Sequence, residues 1–325
     1  MGQPPKDDEC RKRRYYTIYE SLYKEPRIYI KDIASTLQIA PRTATNAVEK
    51  AFQLGIIVGP QVRKKSFKNT TEYVYFVNCK NPFEPYLQYS KNMNVVYHAR
   101  MLGFANTWII SNTELDVEGE VIAKGPRSDY YVPFTMYRSW EKSMDIMVEK
   151  IENFDPKEYE PTGTLENHWD KTIEWDSEDE ILFREFKYDL RGKLTPIMKK
   201  NLISGQKIYE FLDKIYERCT VMMSYVFGGI SAYDPYLFMF ETDYEDFLID
   251  LFSQLPSTPF FFKVSNKLFI HTYGKHEKQL PRRGGLDIAN VGQLRIPLLT
   301  RKLLKRGIIQ SEEQAIVAYH WAKEL

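Results

Sequence analysis

The residues best suited to specific recognition lie in a predicted helix over residues 41–54, which begins at a proline and stops before Gly55. Its polar face carries Arg42, Thr43, Thr45, Asn46 and Lys50. Arginine pairs with guanine edges, asparagine with adenine edges, and threonine reaches bases or phosphates. A helix that presents such groups from its first turns is typical of a recognition helix in the DNA major groove. The alternative is a surface helix whose polar face is only solvated.

A second candidate surface is the basic loop that follows this helix. It carries four cations, Arg63, Lys64, Lys65 and Lys68, between two predicted strands over residues 56–58 and 73–77. A hairpin loop of this composition is what a wing needs to contact the DNA backbone. We therefore predict that these four side chains bind phosphates.

The elements that must position both surfaces are three short helices and this hairpin. Apolar residues recur at helical spacing over residues 11–24 and 30–37, ahead of the recognition helix. Three helices followed by a β-hairpin is the order of a winged helix. Residues 1–80 are therefore predicted to form a winged helix-turn-helix DNA-binding domain.

The charge distribution supports this division of the chain. The net charge is only +1, but residues 1–80 hold 15 Lys and Arg against 8 Asp and Glu, which leaves an acidic remainder. A basic module joined to an acidic remainder is expected when one part alone meets nucleic acid.

The rest of the first half is predicted to be a small α+β sandwich over residues 81–155. Its elements are a helix over 95–102, strands over 107–110 and 117–123, and a helix over 140–151. An acidic linker over residues 156–176 follows. The surrounding stretch 152–180 holds 11 acidic residues against two lysines, and its prolines and glycine interrupt any periodicity.

The second half is predicted to repeat the first at a constant offset in the numbering. This offset places Ile30 on Leu194, Val48 on Leu212, and the strand 74–76 on 238–240. Residues 177–241 are predicted to be a degenerate winged helix that has lost the basic signature. Its third helix carries Glu210, Asp213 and Glu217 beside Lys207 and Lys214, and its wing region 228–234 has no lysine or arginine. Residues 242–325 become a second α+β unit. The predicted class is thus α+β, a winged helix plus ferredoxin-like sandwich, repeated once.

A family resemblance rests on the segment from Tyr29 to Gly59. The runs 32–37 and 39–44, then Val48 and 55–57, resemble the DNA-binding domain of the feast/famine (Lrp/AsnC) regulators. The resemblance implies sequence-specific transcription regulation on double-stranded DNA, a βαββαβ ligand-binding domain, a small-molecule effector and a homodimer. Ala40 replaces the family's usual serine, and the second half of the recognition helix departs from the family pattern.

Other functions are predicted to be absent. Five histidines (His98, His168, His271, His276 and His320) show no metal-ligand spacing, and no glycine-rich loop precedes a lysine, so we predict no metal, no cofactor and no enzyme. Three distant cysteines and the lack of a signal peptide or apolar span predict a cytoplasmic protein without membrane contact.

Two alternatives remain open. Some proteins that resemble this family use the fold as an enzyme, notably siroheme decarboxylases, in which histidines and basic residues of a cleft handle a tetrapyrrole. His98, Arg100, His271 and His276 are the candidates for such a role. The other alternative is an adaptor that binds DNA without sequence preference.

Overall fold

The computed structural model describes residues 6–226, 228–274 and 296–322, and it confirms the predicted α+β class. The first half begins as a winged helix in which three helices bury the apolar stripe that the sequence shows. Its elements are α1 (Lys6–Lys24), α2 (Ile30–Leu37), α3 (Pro41–Gln53) and β1 (Ile57–Lys64). Ile18, Leu22, Ile33 and Ala51 fill the core of this module.

A ferredoxin-like unit follows in the first half. Its elements are β2 (Tyr73–Asn78), α4 (Phe83–Lys91), β3 (Val95–Gly103), β4 (Thr107–Ser111), β5 (Glu120–Pro126) and α5 (Trp140–Asn153). The helix predicted over 95–102 is wrong, because this segment is strand β3. The helical spacing misled because β3 is covered on both faces, so its apolar residues do not alternate cleanly.

The second half repeats this order. Its winged helix comprises α6 (Ser177–Phe186), α7 (Leu194–Asn201), α8 (Gly205–Asp213), α9 (Ile215–Arg218) and β6 (Cys219–Tyr225). Its ferredoxin-like unit comprises β7 (Asp234–Glu241), α10 (Glu245–Phe252), β8 (Phe260–Val264), β9 (Lys267–Gly274), α11 (Ile296–Lys305) and β10 (Ser311–Ala322). Helices α7 and α8 begin at Leu194 and Gly205, the positions onto which the predicted offset carries Ile30 and Pro41.

A reciprocal pair of hydrogen bonds fixes the start of helix α6. Asp176 accepts the backbone N–H of Asp179, and the Asp179 carboxylate accepts the backbone N–H of Asp176. Helix α6 therefore begins with a reciprocal acidic capping box.

The two ferredoxin-like units share one antiparallel sheet of eight strands in the order β5-β2-β4-β3-β10-β7-β9-β8. Its two ends also meet, because Ser128 and Tyr131, just after β5, donate 2.9 Å hydrogen bonds to the carbonyls of Lys263 and Phe261 on β8. The last strand of each unit thus lies beside the second strand of the other. The chain folds as its own pseudo-dimer, and the two halves pair within one chain.

The two winged helices also pair with each other. Strand β1 pairs antiparallel with β6, from Ile57 opposite Tyr225 to Lys64 opposite Cys219. The predicted hairpin between residues 56–58 and 73–77 is therefore wrong, since β2 belongs to the eight-stranded sheet. The basic loop is not a free wing, because the strand that carries Arg63 and Lys64 is occupied by the second half.

Helices cover the outer face of the sheet. Helix α4 lies over β3 of the first unit, and α5, α10 and α11 pack over the second unit. The inner face of the sheet borders the space between the sheet and the paired strands β1 and β6. In the described part of the chain, no helix is long and apolar enough to cross a membrane.

Candidate functional site

A cavity of about 440 Å³ lies between the paired strands β1 and β6 and the inner face of the eight-stranded sheet. This volume is in the range of about 300–1,000 Å³ that is usual for small-molecule and cofactor sites. Both halves of the chain line the cavity: Arg63 comes from β1, Lys187 from the end of α6, Trp108 from β4 and His271 from β9.

One end of the cavity is basic. The Arg63 guanidinium bonds the Lys187 carbonyl at 3.2 Å and the Gln61 amide oxygen at 3.0 Å, and it lies 5.4 Å from the centre of the Tyr188 ring. Lys187 is buried, and burial together with the charge of Arg63 lowers its pKa to about 8. A lysine of this kind can bind an anion or exchange a proton near neutral pH.

A buried ion pair forms the adjoining wall. Arg127, which is fully buried, donates to the Glu72 carboxylate from Nε at 2.9 Å and from Nη2 at 2.7 Å, and its guanidinium lies over the Tyr130 ring. Burial raises the pKa of Glu72, but the charge and hydrogen bonds of Arg127, together with the charges of Lys187 and Lys64, outweigh burial and lower the pKa. Since Arg127 neutralises Glu72, Arg63 and Lys187 give this end an excess of positive charge.

The remaining wall is aromatic. Trp108 meets the Tyr97 ring edge-on at 4.9 Å, and His271 stacks on Phe260 with ring centres 4.4 Å apart. Burial raises the pKa of the nearby Tyr273 hydroxyl to about 12, so this phenol stays neutral. Trp108 is buried, and its indole N–H has no hydrogen-bond partner among the described residues. Flat apolar surfaces next to two cations suit a planar anionic ligand.

The predicted recognition helix is solvent-exposed along its polar face. Arg42, Thr43, Asn46 and Lys50 are exposed, while Thr45 is half-buried and donates to the Pro41 carbonyl at 3.1 Å. Strands β1 and β6 lie behind this helix, so the structure separates the face from the cavity. Its role in DNA binding stays a prediction.

The predicted wing residues are not brought together as a phosphate-binding surface. Lys64 is buried and forms a 2.6 Å ion pair with Glu180. Burial raises the pKa of Glu180, but Lys64, Trp175 and Arg184 together lower it below its usual value. Arg63 faces the cavity. Lys65 is half-buried, and Lys68 alone of the four is exposed. Part of the charge predicted to bind DNA joins the two halves instead, since Lys64 of the first half pairs with Glu180 of the second.

The alternative site residues are also divided. His271 lies in the cavity wall. His98 and Arg100 lie under α4 on the outer face of the sheet, against the rings of Tyr86 and Phe83. Burial lowers the pKa of His98 to about 4, so it is neutral at physiological pH. His276 lies outside the described residues.

Sequence reasoning missed Lys187, Glu72 and Tyr130 as cavity residues. Nothing local distinguishes them, because each becomes functional only when β1 pairs with β6 and the two halves meet. One usable signal was Glu72, the sole acidic residue of the segment 63–80, which contains Lys64, Lys65 and Lys68. A lone carboxylate directly before an apolar strand is a candidate for a buried partner.

Comparison with known proteins gives a fold-level likeness. No family model and no curated protein matches the chain. The structure is similar to the crystal structure of the siroheme decarboxylase NirDL, with 11% identity, a TM-score of 0.50 and coverage of 95% of this chain and 92% of that chain. A structure of siroheme decarboxylase NirDL in co-complex with an iron-uroporphyrin III analogue matches with 12% identity, a TM-score of 0.42 and coverage of 90% and 86%.

One prediction changes with this finding. The prediction that the chain is not an enzyme is corrected, because the first of these structures shares its fold over nearly the whole chain and is that of an enzyme. The likeness agrees with the predicted winged-helix and ferredoxin-like fold, while no family model identifies the chain as a feast/famine regulator. The structure gives a physical reason for this correction. The paired strands of the two winged helices form one wall of a cavity that can hold a ligand.

Proposed function

We propose that this chain is an enzyme that binds a planar tetrapyrrole bearing carboxylates in the cavity and removes carboxyl groups from it. The observation that carries the proposal is the cavity itself, in which aromatic walls adjoin the excess positive charge of Arg63 and Lys187. The fold-level likeness to a siroheme decarboxylase supports the same class of ligand.

The cavity residues divide into three roles. Arg63 presents a planar fork of N–H donors that suits a carboxylate, and Lys187 adds a buried ammonium group. The rings of Trp108 and Phe260 offer flat surfaces to the macrocycle. The indole N–H of Trp108, which has no hydrogen-bond partner among the described residues, can donate to an acceptor on it. The neutral Arg127–Glu72 pair keeps this wall rigid without adding net charge.

The chemistry asked of these residues is a replacement of a carboxyl group by hydrogen. The bond between the carboxyl carbon and its neighbour breaks, carbon dioxide leaves, and the remaining carbon takes a proton, so no oxidant is required. His271 is the residue we assign to proton delivery, because its imidazole lies in the aromatic wall of the cavity and imidazole is the most common general acid–base group in enzymes. Lys187 holds a second carboxylate away from the reacting carbon.

The test is conversion of a carboxylate-bearing iron porphyrin, followed by mass spectrometry. Wild-type protein is expected to yield products lighter by whole carbon dioxide units, and His271→Ala to reduce the rate by about 10²–10⁴ while binding persists. His98→Gln, at a histidine on the outer face of the sheet, is the control. Absence of any product with bound porphyrin would exclude the decarboxylation, and an unchanged rate in His271→Ala would exclude the assigned proton donor.

We propose DNA binding as a second candidate function, supported by the exposed polar face of α3. Arg42 and Lys50 are the exposed cations of this face. Fluorescence anisotropy with an upstream duplex and a scrambled duplex, across a salt series, tests it. Replacing both residues by alanine is expected to lower the log–log salt slope by about 2 if both meet phosphates. Equal, weak affinity for both duplexes would favour the sequence-independent adaptor, and no binding at low salt would exclude the candidate.

The predicted homodimer and small-molecule effector join this candidate. The cavity is the place where an effector would bind, and a second chain would supply a second copy of α3 for a palindromic site. Sizing chromatography with light scattering tests the homodimer prediction, because a dimer has twice the 38.4 kDa mass of the chain.

A further inference from the structure

Three residues with metal-ligand side chains meet outside the cavity. Asp129 follows strand β5, while Glu166 and His168 lie in the segment between the two halves. The His168 Nε2 atom is 3.3 Å from Asp129 Oδ2 and 3.7 Å from Glu166 Oε2. One ligand atom from each of the three residues falls within 4.8 Å of the others.

The buried carboxylate of Asp129 points to a missing partner. Asp129 is 6% exposed, and its Oδ1 atom accepts the backbone N–H of Ser66 at 2.6 Å. Its Oδ2 atom is buried and, among the described residues, has no hydrogen-bond partner, although it faces His168. Burying a charged oxygen in this way is costly unless a cation or donor approaches it.

A histidine alone does not explain the cluster. His168 could pair with one carboxylate, but Glu166 brings a second negative charge to the same nitrogen. Two carboxylates at one site repel each other unless a cation lies between them. A divalent ion resolves both problems, because it supplies Asp129 Oδ2 with a partner and offsets the second carboxylate.

We propose that Asp129, Glu166 and His168 bind a divalent transition-metal ion, with Zn²⁺ as the preferred occupant. Tetrahedral zinc with bonds of about 2.0–2.1 Å places its ligand atoms roughly 3.4 Å apart. The observed separations of 3.3 and 3.7 Å lie close to this value. One imidazole and two carboxylates leave the fourth position to water, on the side where Glu166 is exposed.

The surroundings hold the ligands in place. The His168 ring stacks on Phe67 with centres 4.7 Å apart, and its backbone N–H donates to the Ser66 carbonyl at 3.1 Å. Trp169 donates to the Ser66 hydroxyl at 3.0 Å. Groups that fix the orientation of ligands in this way are typical of metal sites. The ion would hold the segment between the two halves against the residues that follow β5, where Tyr130 of the cavity wall also lies.

Zinc binding to the full-length protein tests the proposal. Calorimetric titration of metal-stripped protein with Zn²⁺ is expected to give one site, with affinity weakened at least tenfold in Glu166→Gln and in His168→Ala. Glu160→Gln, another exposed glutamate of the same segment, is the matched control and is expected to bind like wild type. Because Glu166 is exposed, its substitution leaves the core unchanged and a loss of affinity cannot reflect unfolding.

A cobalt spectrum identifies the ligands. Co²⁺ at this site is expected to give visible ligand-field bands that disappear in His168→Ala, without the near-ultraviolet charge-transfer bands of a thiolate ligand. Thiolate bands, no binding of either metal at micromolar concentration, or equal affinity in wild type and both variants would each overturn the proposal. None of these readouts depends on the proposed enzymatic activity.

Discussion

The buried ion pair of Glu72 and Arg127 allows a quantitative test of the fold. Arg127 is fully buried, and its charge is met by two hydrogen bonds to one Glu72 oxygen, at 2.7 and 2.9 Å. It also donates to the carbonyls of Ser128 and Lys64, at 2.8 and 2.7 Å. The isosteric change Glu72→Gln removes the negative charge but leaves the guanidinium in place.

The expected cost of Glu72→Gln is about 3–5 kcal/mol in the free energy of unfolding, because a buried charge is left without its counterion. The pair Lys150–Asp250 provides the control. Its N–O distance is 2.6 Å, but its side chains are 36% and 53% exposed, so Asp250→Asn is expected to cost no more than about 1 kcal/mol. The two ion pairs have similar N–O distances but different burial, so a difference between their costs in unfolding free energy is assigned to desolvation.

Urea denaturation followed by tryptophan fluorescence and circular dichroism measures both costs. A pH dependence is also expected, because the pKa of Glu72 is lowered in the folded protein. Its stabilising contribution is fully present above the unfolded pKa and is lost as pH falls through the folded value. A cost below about 1 kcal/mol for Glu72→Gln, equal to that of Asp250→Asn, would refute the argument.

Two further predictions concern the junction of the halves and the basic end of the cavity. A Cβ on Gly103 would lie 2.1 Å from the carbonyl oxygen of Gln314 on β10. Gly103→Ala is therefore expected to lower the free energy of unfolding by at least about 2 kcal/mol, measured by thermal unfolding. Gly205→Ala is the control and is expected to cost little, because its Cβ meets only the flexible end of a methionine. Lys187 has a folded pKa of about 8 against 10.5 for an ordinary lysine, so stability is expected to rise with pH between these values as the burial penalty disappears. Lys187→Met is expected to abolish this rise and to gain at most about 3 kcal/mol at pH 7 in urea titrations; an unchanged pH profile would contradict the buried, cationic assignment.

Local patterns predicted much of the fold. The helical spacing of Ile18 and Leu22, the proline at position 41 and the stop at Gly55 indicated the first winged helix. The constant offset between the halves indicated the second one. These signals are readable because the helical spacing and the helix ends depend on neighbouring residues, and the second half repeats the same local pattern.

Pairings between distant segments could not be predicted in the same way. The sequence pattern assigns β1 to a hairpin with β2, but β1 pairs with β6, which lies in the second half of the chain. Strand β10 was missed, although it joins both halves through β3 and β7. Which strands pair with each other depends on the whole sheet, and this pairing produces no periodic pattern in the sequence.

The candidate site was harder to predict for the same reason. Arg63 was identified as an important cation, but its charge was assigned to DNA because a basic loop between two strands resembles a wing. His271 was named for the enzyme alternative and does lie in the cavity. Lys187 and Glu72 join it only through the pairing of the halves, so composition alone could not single them out.

Titration of the purified protein with an iron-uroporphyrin, followed in the Soret band, measures whether the cavity binds a carboxylate-bearing tetrapyrrole. We expect saturable binding of one ligand per chain, weakened at least tenfold in Arg63→Ala and in Lys187→Met, because each loses a charge-assisted contact of about 1.5–3 kcal/mol. Lys199→Ala, an exposed lysine on α7, is the control and is expected to bind like wild type. No spectral change at micromolar protein, or equal affinity in wild type and both cavity variants, would exclude tetrapyrrole binding at Arg63 and Lys187.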